Sequence, residues 1–209
     1  MLEYEQSVWS AGKRLVAGVD EVGRGCLFGD VVAAAVILPQ GLVLEEVNDS
    51  KKLSAKKRDK LYDIIRQEAV AVGVGIVDVE TIEKINIRQA SLLAMKLAVK
   101  SLEVTPDYLL VDAEQVNVPI EQMSLIHGDA VSQAIAAASI IAKVTRDRMC
   151  LKWDEEFPGY GLADHKGYAT KFHRERILEF GPTAMHRSLF LRKLLGTGEE
   201  EEVEQGVLF

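Results

Sequence analysis

The sequence predicts an α/β protein: a mixed sheet flanked by helices, closed by a small helical C-terminal part. Two observations carry this. Short apolar runs alternate with stretches of helical periodicity along the first 130 residues, as expected when helices cover a sheet. One of those runs, Val31–Leu38, is apolar on both strand faces and so belongs inside the sheet, covered on both sides.

In order, residues 1–13 contain Trp9 but no strong pattern and are expected to form a loosely held arm. A first strand spans Leu15–Val19 and a second Val31–Leu38, ended by Pro39-Gln40-Gly41. Ser54 is a helix N-cap, and Leu61, Ile64 and Ile65 form the apolar stripe of a helix over Ala55–Glu68. Val70, Val72, Val74 and Ile76 alternate as in a strand. A short helix opens at Asp78–Ile82, and a longer one covers Ile87–Leu102. Pro106 breaks the pattern before a strand at Tyr108–Val111, and Met123–Ile126 forms a further strand. A long alanine-rich helix is expected over Val131–Glu155. Two closing helices, Ala169–Phe180 and Ala184–Leu195, follow.

The chain has 209 residues, 48% hydrophobic and 27% charged, ordinary values for a soluble domain. No apolar run is long enough to span a bilayer, and the first residues lack the pattern of a secretory signal. Cys26 and Cys150 have neither a disulfide-framework nor a metal spacing, so a reduced cytoplasmic setting is expected. Net charge is −7, which argues against nucleic-acid binding by bulk charge. Five of the glutamates follow Leu195; the body before them carries 27 acidic and 25 basic residues. Local basic patches on such a body can still hold a phosphate backbone.

The stretch most able to carry chemistry is Ala17-Gly18-Val19-Asp20-Glu21-Val22-Gly23-Arg24-Gly25. An apolar strand leads into two adjacent carboxylates and then a Gly-Arg-Gly turn. Asp20 and Glu21 point to opposite faces of a regular strand. They reach one cleft only if the strand ends or bulges there, which the glycines permit. A divalent cation is the usual reason to tolerate such a pair. Asp112, after the Tyr108–Val111 strand, and Asp129, before the alanine-rich helix, are further candidates. Asp129 can equally serve as a helix cap. His127 is read as a surface histidine.

The string around Asp20-Glu21 resembles the signature of bacterial ribonuclease HII, the type 2 ribonuclease H family. Three later stretches share the resemblance: Asn48-Asp49-Ser50-Lys51-Lys52-Leu53, the run from Ala136 to Asp147, and His165-Lys166-Gly167-Tyr168. It covers about residues 15–195 and implies a ribonuclease H-like fold. It implies a catalytic and metal-binding set of Asp20, Glu21, Asp112 and Asp129, working with Mn²⁺ or Mg²⁺. Oxygen-only ligands agree with those ions. The implied activity is endonucleolytic cleavage of RNA in RNA–DNA hybrids and 5′ of ribonucleotides embedded in duplex DNA, leaving 3′-hydroxyl and 5′-phosphate ends. Another two-metal nuclease of the same fold acting on DNA, and a noncatalytic nucleic-acid-binding module, are the rival readings.

The resemblance also implies that Gly23, Arg24 and Gly25 meet the ribonucleotide, and that Tyr168 packs on the neighbouring deoxyribose. Lys51, Lys52, Lys143, Arg146 and Lys166 are expected phosphate contacts. Lys143 and Arg146, three apart, share a helix face. The small residues Ala136–Ser139 permit close packing or close approach of a strand, and Ser139 is counted with the substrate contacts. The chain departs from the family pattern at several places. Cys26 and Asp30 stand where prolines are usual, Ala113-Glu114 where Gly-Asn is common, Val131 where a basic residue is frequent, and Ala169 where a proline is. Weaker phosphate binding is the expected consequence.

Residues 1–195 are thus expected to form the catalytic domain, with residues 156–195 its helical subregion and 196–209 an acidic flexible tail. The tail ends Gln205-Gly206-Val207-Leu208-Phe209. This resembles the short peptide by which bacterial replication and repair proteins dock on the sliding clamp, with Gln205, Leu208 and Phe209 as its contacts. The protein is otherwise expected to act as a monomer.

Overall fold

The computed structural model describes residues 1–47 and 53–196. The expected contacts Lys51 and Lys52, and the tail residues Gln205, Leu208 and Phe209, lie outside the described residues. Among the described residues, no helix is long and apolar enough to cross a membrane.

Five strands form one mixed sheet: β1 (Val16–Val22), β2 (Val31–Ile37), β3 (Ala71–Val77), β4 (Tyr108–Asp112) and β5 (Gln122–Leu125). Their order is β3-β2-β1-β4-β5. The first three pair antiparallel, whereas β4 lies parallel to both β1 and β5. Every residue of β2 is buried, as its two apolar faces require.

Helices cover both faces. On one side α4 (Ile87–Lys100) packs Ala90, Ala94, Met95 and Ala98 against Ala17, Val19, Ala33 and Val111. On the other, α2 (Ala55–Glu68) and α6 (Gln133–Glu156) pack on Val32, Ala34 and Val36. Ser54 caps α2 through the Lys57 amide, as its position predicts. A short helix, α3 (Val79–Ile85), is capped by Asp78.

The N-terminal residues are not a loose arm. They form α1 (Glu3–Ser10), which is tied to α6 by a buried carboxylate. Glu5 Oε1 accepts from Ser132 Oγ at 2.7 Å and from the Ala134 amide at 2.9 Å, serving the free amides at the start of α6. The partners lie more than 120 residues away, so no local pattern announces them.

The expected helix from Val131 is divided. A single turn, α5 (Gly128–Val131), ends at Ser132, which adopts an extended backbone and caps α6 through the Ile135 amide. The cap of the long helix is therefore Ser132. The closing helices are also shorter than expected: α8 spans Lys171–Phe180 and α9 spans Ser188–Leu195, after a single turn α7 (Leu162–His165). Thr170 caps α8, which fixes its start. These helices share a core with Leu27, Phe28, Cys150 and Trp153, binding the C-terminal part to the segment after β1.

Helix α6 lies unusually close to β1. A Cβ on Gly18 would fall 2.0–2.3 Å from the backbone of Ala134 and Ile135. Backbone on both sides cannot move aside cheaply, so glycine is required. Gly18→Ala is expected to lower the unfolding free energy by about 2 kcal/mol or more, measured by urea denaturation; an unchanged midpoint would contradict this packing.

Candidate active site

The site forms where β4 stops. Parallel pairing of β1 with β4 ends at Val19↔Val111, so the next residues, Asp20 within β1 and Asp112 at the end of β4, stand side by side. Antiparallel pairing on the other side continues through Asp20↔Ala34, Glu21↔Ala33 and Val22↔Val32. The strand therefore neither ends nor bulges at the acidic pair, contrary to the expectation from sequence. Asp20 points to the α6 face with Gly18, and Glu21 to the α4 face with Val19. Both still reach one cleft, because the sheet has no strand beside them once β4 has ended. This is the carboxyl edge of parallel strands, where α/β proteins gather ligands.

Asp20, Glu21, Asp112, Ser139, Lys143 and Tyr168 line this cleft with Val22. Burial, with the charges of Glu21 and Asp112, pushes the Asp20 carboxyl well above the usual carboxylate range, while a hydrogen bond with Ser139 opposes the rise. Burial raises Glu21 as well; Arg24 opposes this, and Asp112 and Glu114 add to it. Asp112 Oδ1 accepts from the Gly128 amide at 2.7 Å. Asp129 follows Gly128 and is buried, but is not among the residues lining the cleft.

Among the described residues, no three carboxylate, histidine or cysteine groups are arranged as a ready-made metal cage. The donor chemistry nevertheless fits a divalent cation. Three carboxylate side chains share one cleft, where burial and the neighbouring charges raise the proton affinity of Asp20 and Glu21, and a bound cation reverses that penalty. Magnesium-type ions take few protein carboxylates and complete their shells with water and substrate phosphate.

The rim is built by two arginines, both fully buried. Arg187 donates to the carbonyls of Gly23 at 2.7 Å, Arg24 at 3.1 Å and Gly29 at 2.6 and 2.9 Å. Arg146 donates to the carbonyls of Asp30 at 3.0 Å, Phe28 at 2.9 Å and Lys166 at 2.7 Å. Arg146 is therefore not a surface phosphate contact, which corrects the expectation drawn from its spacing to Lys143. Its guanidinium is spent on the loop that carries Gly-Arg-Gly. Arg187 was missed altogether: the sequence reads it as one charge within a closing helix, Ala184–Leu195, whereas it lies just before α9. Gly23 has a left-handed backbone, φ 96°, and a Cβ there would lie 2.4 Å from Arg146 Nε.

The same loop holds Tyr168. Cys26 pairs with it in an antiparallel bridge, Leu27 N donates to Gly167 O at 2.8 Å, and the Cys26 thiol donates to the Lys166 carbonyl at 3.5 Å. The ring stays 40% exposed on the cleft wall. Lys143 also reaches the cleft and pairs with Asp147. Lys166 is half-buried, donating to Ala163 O, and lines a neighbouring groove with Lys143 and Arg148. Arg24 sits between Glu21 and Glu114, at 3.2 and 3.3 Å. Gly25 and His127 are exposed.

The ribonuclease HII family model matches residues 17–193. The chain belongs to the ribonuclease HII family. A ribonuclease HII from Alkaliphilus metalliredigens is 58% identical over 200 residues, covering 93% of this chain and 98% of that one. Among solved structures, the PCNA:RNase HII complex from Archaeoglobus fulgidus is similar at 27% identity, with TM-score 0.68, over 83% of this chain and 93% of that chain. Bst-RNase HIII in complex with Mn²⁺ shares the fold at 18% identity, with TM-score 0.72, over 88% of this chain and 70% of that chain. Membership makes this ribonuclease H-like protein an endoribonuclease that acts on RNA in RNA–DNA hybrids.

Beneath Tyr168 lies a ladder of histidines. His173 Nδ1 meets the Tyr168 carbonyl at 2.9 Å and must donate, so its Nε2 accepts. His186 Nδ1 accepts from the Thr183 amide at 2.9 Å, so its Nε2 donates to His173 Nε2 at 3.3 Å. His165 stacks on His173 with centroids 4.2 Å apart. Only neutral rings satisfy this pattern, and burial pulls His173 and His186 down from 6.5 to about 4. Unfolded chains take up these protons near 6.5, folded ones only near 4. The stabilisation is thus full above 6.5 and is lost as pH falls toward 4. Burial-raised Asp20 and Glu21 act in the opposite sense, so a local readout is needed. Amide-exchange protection in α8 is expected to fall steadily from pH 7 to pH 5; constant protection would remove the ladder from the acid response.

Proposed function

We propose that the chain cleaves on the 5′ side of ribonucleotides, both within hybrids and singly embedded in duplex DNA, leaving 3′-hydroxyl and 5′-phosphate ends. The observation that carries this reading is the meeting of Asp20, Glu21 and Asp112 in one cleft whose wall carries Tyr168 and whose rim carries Gly-Arg-Gly. In this reading Asp20, Glu21, Asp112 and Asp129 hold Mg²⁺ or Mn²⁺. When bound, such ions supply an activated water and stabilise the departing 3′-oxygen. The Mn²⁺ complex of the HIII enzyme supports this for a protein of the same fold.

The chain's own groups do the recognition. Backbone groups of Gly23–Gly25, pinned by Arg187, come close enough to a ribose to sense its 2′-hydroxyl. The Tyr168 ring packs on the next sugar, where a missing 2′-hydroxyl leaves room. Lys143 and Ser139 face the phosphate between them, with Lys166 extending the track, and Lys51 and Lys52 are counted as further phosphate contacts on the family pattern alone. Residues 1–195 act as one catalytic unit, monomeric and cytoplasmic, with 196–209 appended.

The test compares three substrates: a duplex with one ribonucleotide, its all-DNA twin and a long hybrid, each with Mg²⁺ and Mn²⁺. Wild type is expected to cut the first and third only. Asp112→Asn should abolish both activities with an unchanged circular dichroism spectrum, and Tyr168→Ala should lose far more on the single ribonucleotide than on the hybrid. Cleavage of the all-DNA duplex would favour a DNA nuclease on this fold, and near-wild-type turnover by the Asn variant would remove Asp112 from the site.

A partner follows from the tail. Gln205, Leu208 and Phe209 dock on the sliding clamp, Leu and Phe filling an apolar pocket, and an archaeal ribonuclease HII solved with PCNA supports the idea of such a pairing. A short peptide that orders on binding reaches only about micromolar affinity. Titration with the clamp of the same organism should show such binding by the wild type and none by a Leu208→Ala/Phe209→Ala variant; equal binding by both would end the proposal.

A further inference from the structure

Glu114 has no part in the roles assigned above, yet its carboxylate faces the cleft's own charges. It is half-buried, and its Oε1 lies 3.3 Å from Arg24 Nη1. The same nitrogen lies 3.2 Å from Glu21 Oε1, so one guanidinium nitrogen is shared by two carboxylates. The other Glu114 oxygen meets Arg88, an exposed side chain, at 3.4 Å. Glu114 also acts on Glu21 directly, as one of the charges that raise its proton affinity.

The backbone is bent to put Glu114 there. Ala113, just before it, has φ 50°, in the left-handed region that is strained for a residue with a Cβ. Strain of this kind persists only where surrounding contacts enforce it. Here Ala113 N donates to Leu125 O at 3.0 Å, fixing the turn after β4 that carries Asp112 and Glu114 together.

We propose that Glu114 is a positioning residue for cation binding: it holds Arg24 so that Glu21 is free to turn toward a divalent ion. The inference rests on the metal-site reading above. With Glu21 as its sole carboxylate, Arg24 would compete directly with the cation for that ligand. It would also be left without a partner, beside new positive charge, each time a cation won. Shared with Glu114, the guanidinium keeps a carboxylate whichever way Glu21 turns. Arg88, more exposed, adds little to this because solvent screens it.

The proposal separates two effects of Glu114 on the cation: its own field, and its grip on Arg24. Calorimetric titration of the intact protein with Mn²⁺, without substrate, reads the affinity directly, and thermal melts confirm that each variant is folded. Glu114→Gln is expected to weaken Mn²⁺ binding about fivefold, the scale of one partly exposed ion pair. Glu114→Asp keeps the charge but shortens the reach to Arg24, and should weaken binding nearly as much. In an Arg24→Gln background the Glu114→Gln change should have much less effect. Equal affinity of wild type and Glu114→Gln overturns the proposal. So does an Asp variant that matches wild type, or a loss of the same size with and without Arg24, since either leaves only the field. Should the Gln variant fail to fold, the Asp variant decides alone. A wild-type protein that binds no Mn²⁺ would instead overturn the metal-site reading, and this inference with it.

Discussion

The contact on which the rest depends is the approach of α6 to β1 at Gly18. Helix and strand meet backbone to backbone there, with no room for a Cβ. The small residues Ala136, Ala137 and Ala138 continue the close fit along α6, all fully buried. This sets the height of the helix over the sheet. Ser139 and Lys143, on successive turns, thereby arrive at the cleft opposite Asp20. A side chain added at Gly18 would lift the helix and move both groups away from the carboxylates together. Glu5 secures this same end of α6, its carboxylate on α1 accepting from the Ala134 amide at the point where the helix meets Gly18.

A second constraint shapes the rim. Loops seldom stay in one place without partners for their carbonyls. Between Gly23 and Asp30 the carbonyls of Gly23, Arg24, Phe28, Gly29 and Asp30 are taken by two buried guanidiniums, which offer several donors each in a rigid plane. The guanidinium charges are costly to bury, and burial pulls Arg187 down to about 10, still well above neutral pH. What they secure is a loop whose backbone stands at a fixed height beside the carboxylates. Tyr168 is fastened to the same loop through Cys26 and Leu27, so the two candidate sugar-sensing elements move as one piece.

Acid groups in this cleft work against one another until something positive enters. Asp112 at the end of β4 and Asp20 beside it on β1 share one face, and Glu21 reaches round from the other. Arg24 relieves Glu21 without touching Asp20. A site of this kind is held by its scaffold rather than by its own interactions, since burial and like charge oppose the ionised carboxylates.

The sequence by itself determined the fold class and nearly every strand and helix, and it singled out Asp20, Glu21 and Asp112, which the fold brings into one cleft. These follow from local causes: alternation for β3, unbroken apolarity for β2, caps at Ser54 and Asp78, and a signature string around Asp20-Glu21. Tertiary structure alone decided what lay in the partners. Residues 1–13 read as an arm because the carboxylate that orders α1 finds its amides at the far end of the chain. Arg146 read as a surface cation because helical spacing gives a face but not what covers it, and Arg187 gave no signal at all. Asp20 and Glu21 were expected to need a broken strand. They meet instead because a neighbouring strand ends beside an unbroken one, and where two strands end relative to each other is a property of the sheet's register, which no single strand's residues express.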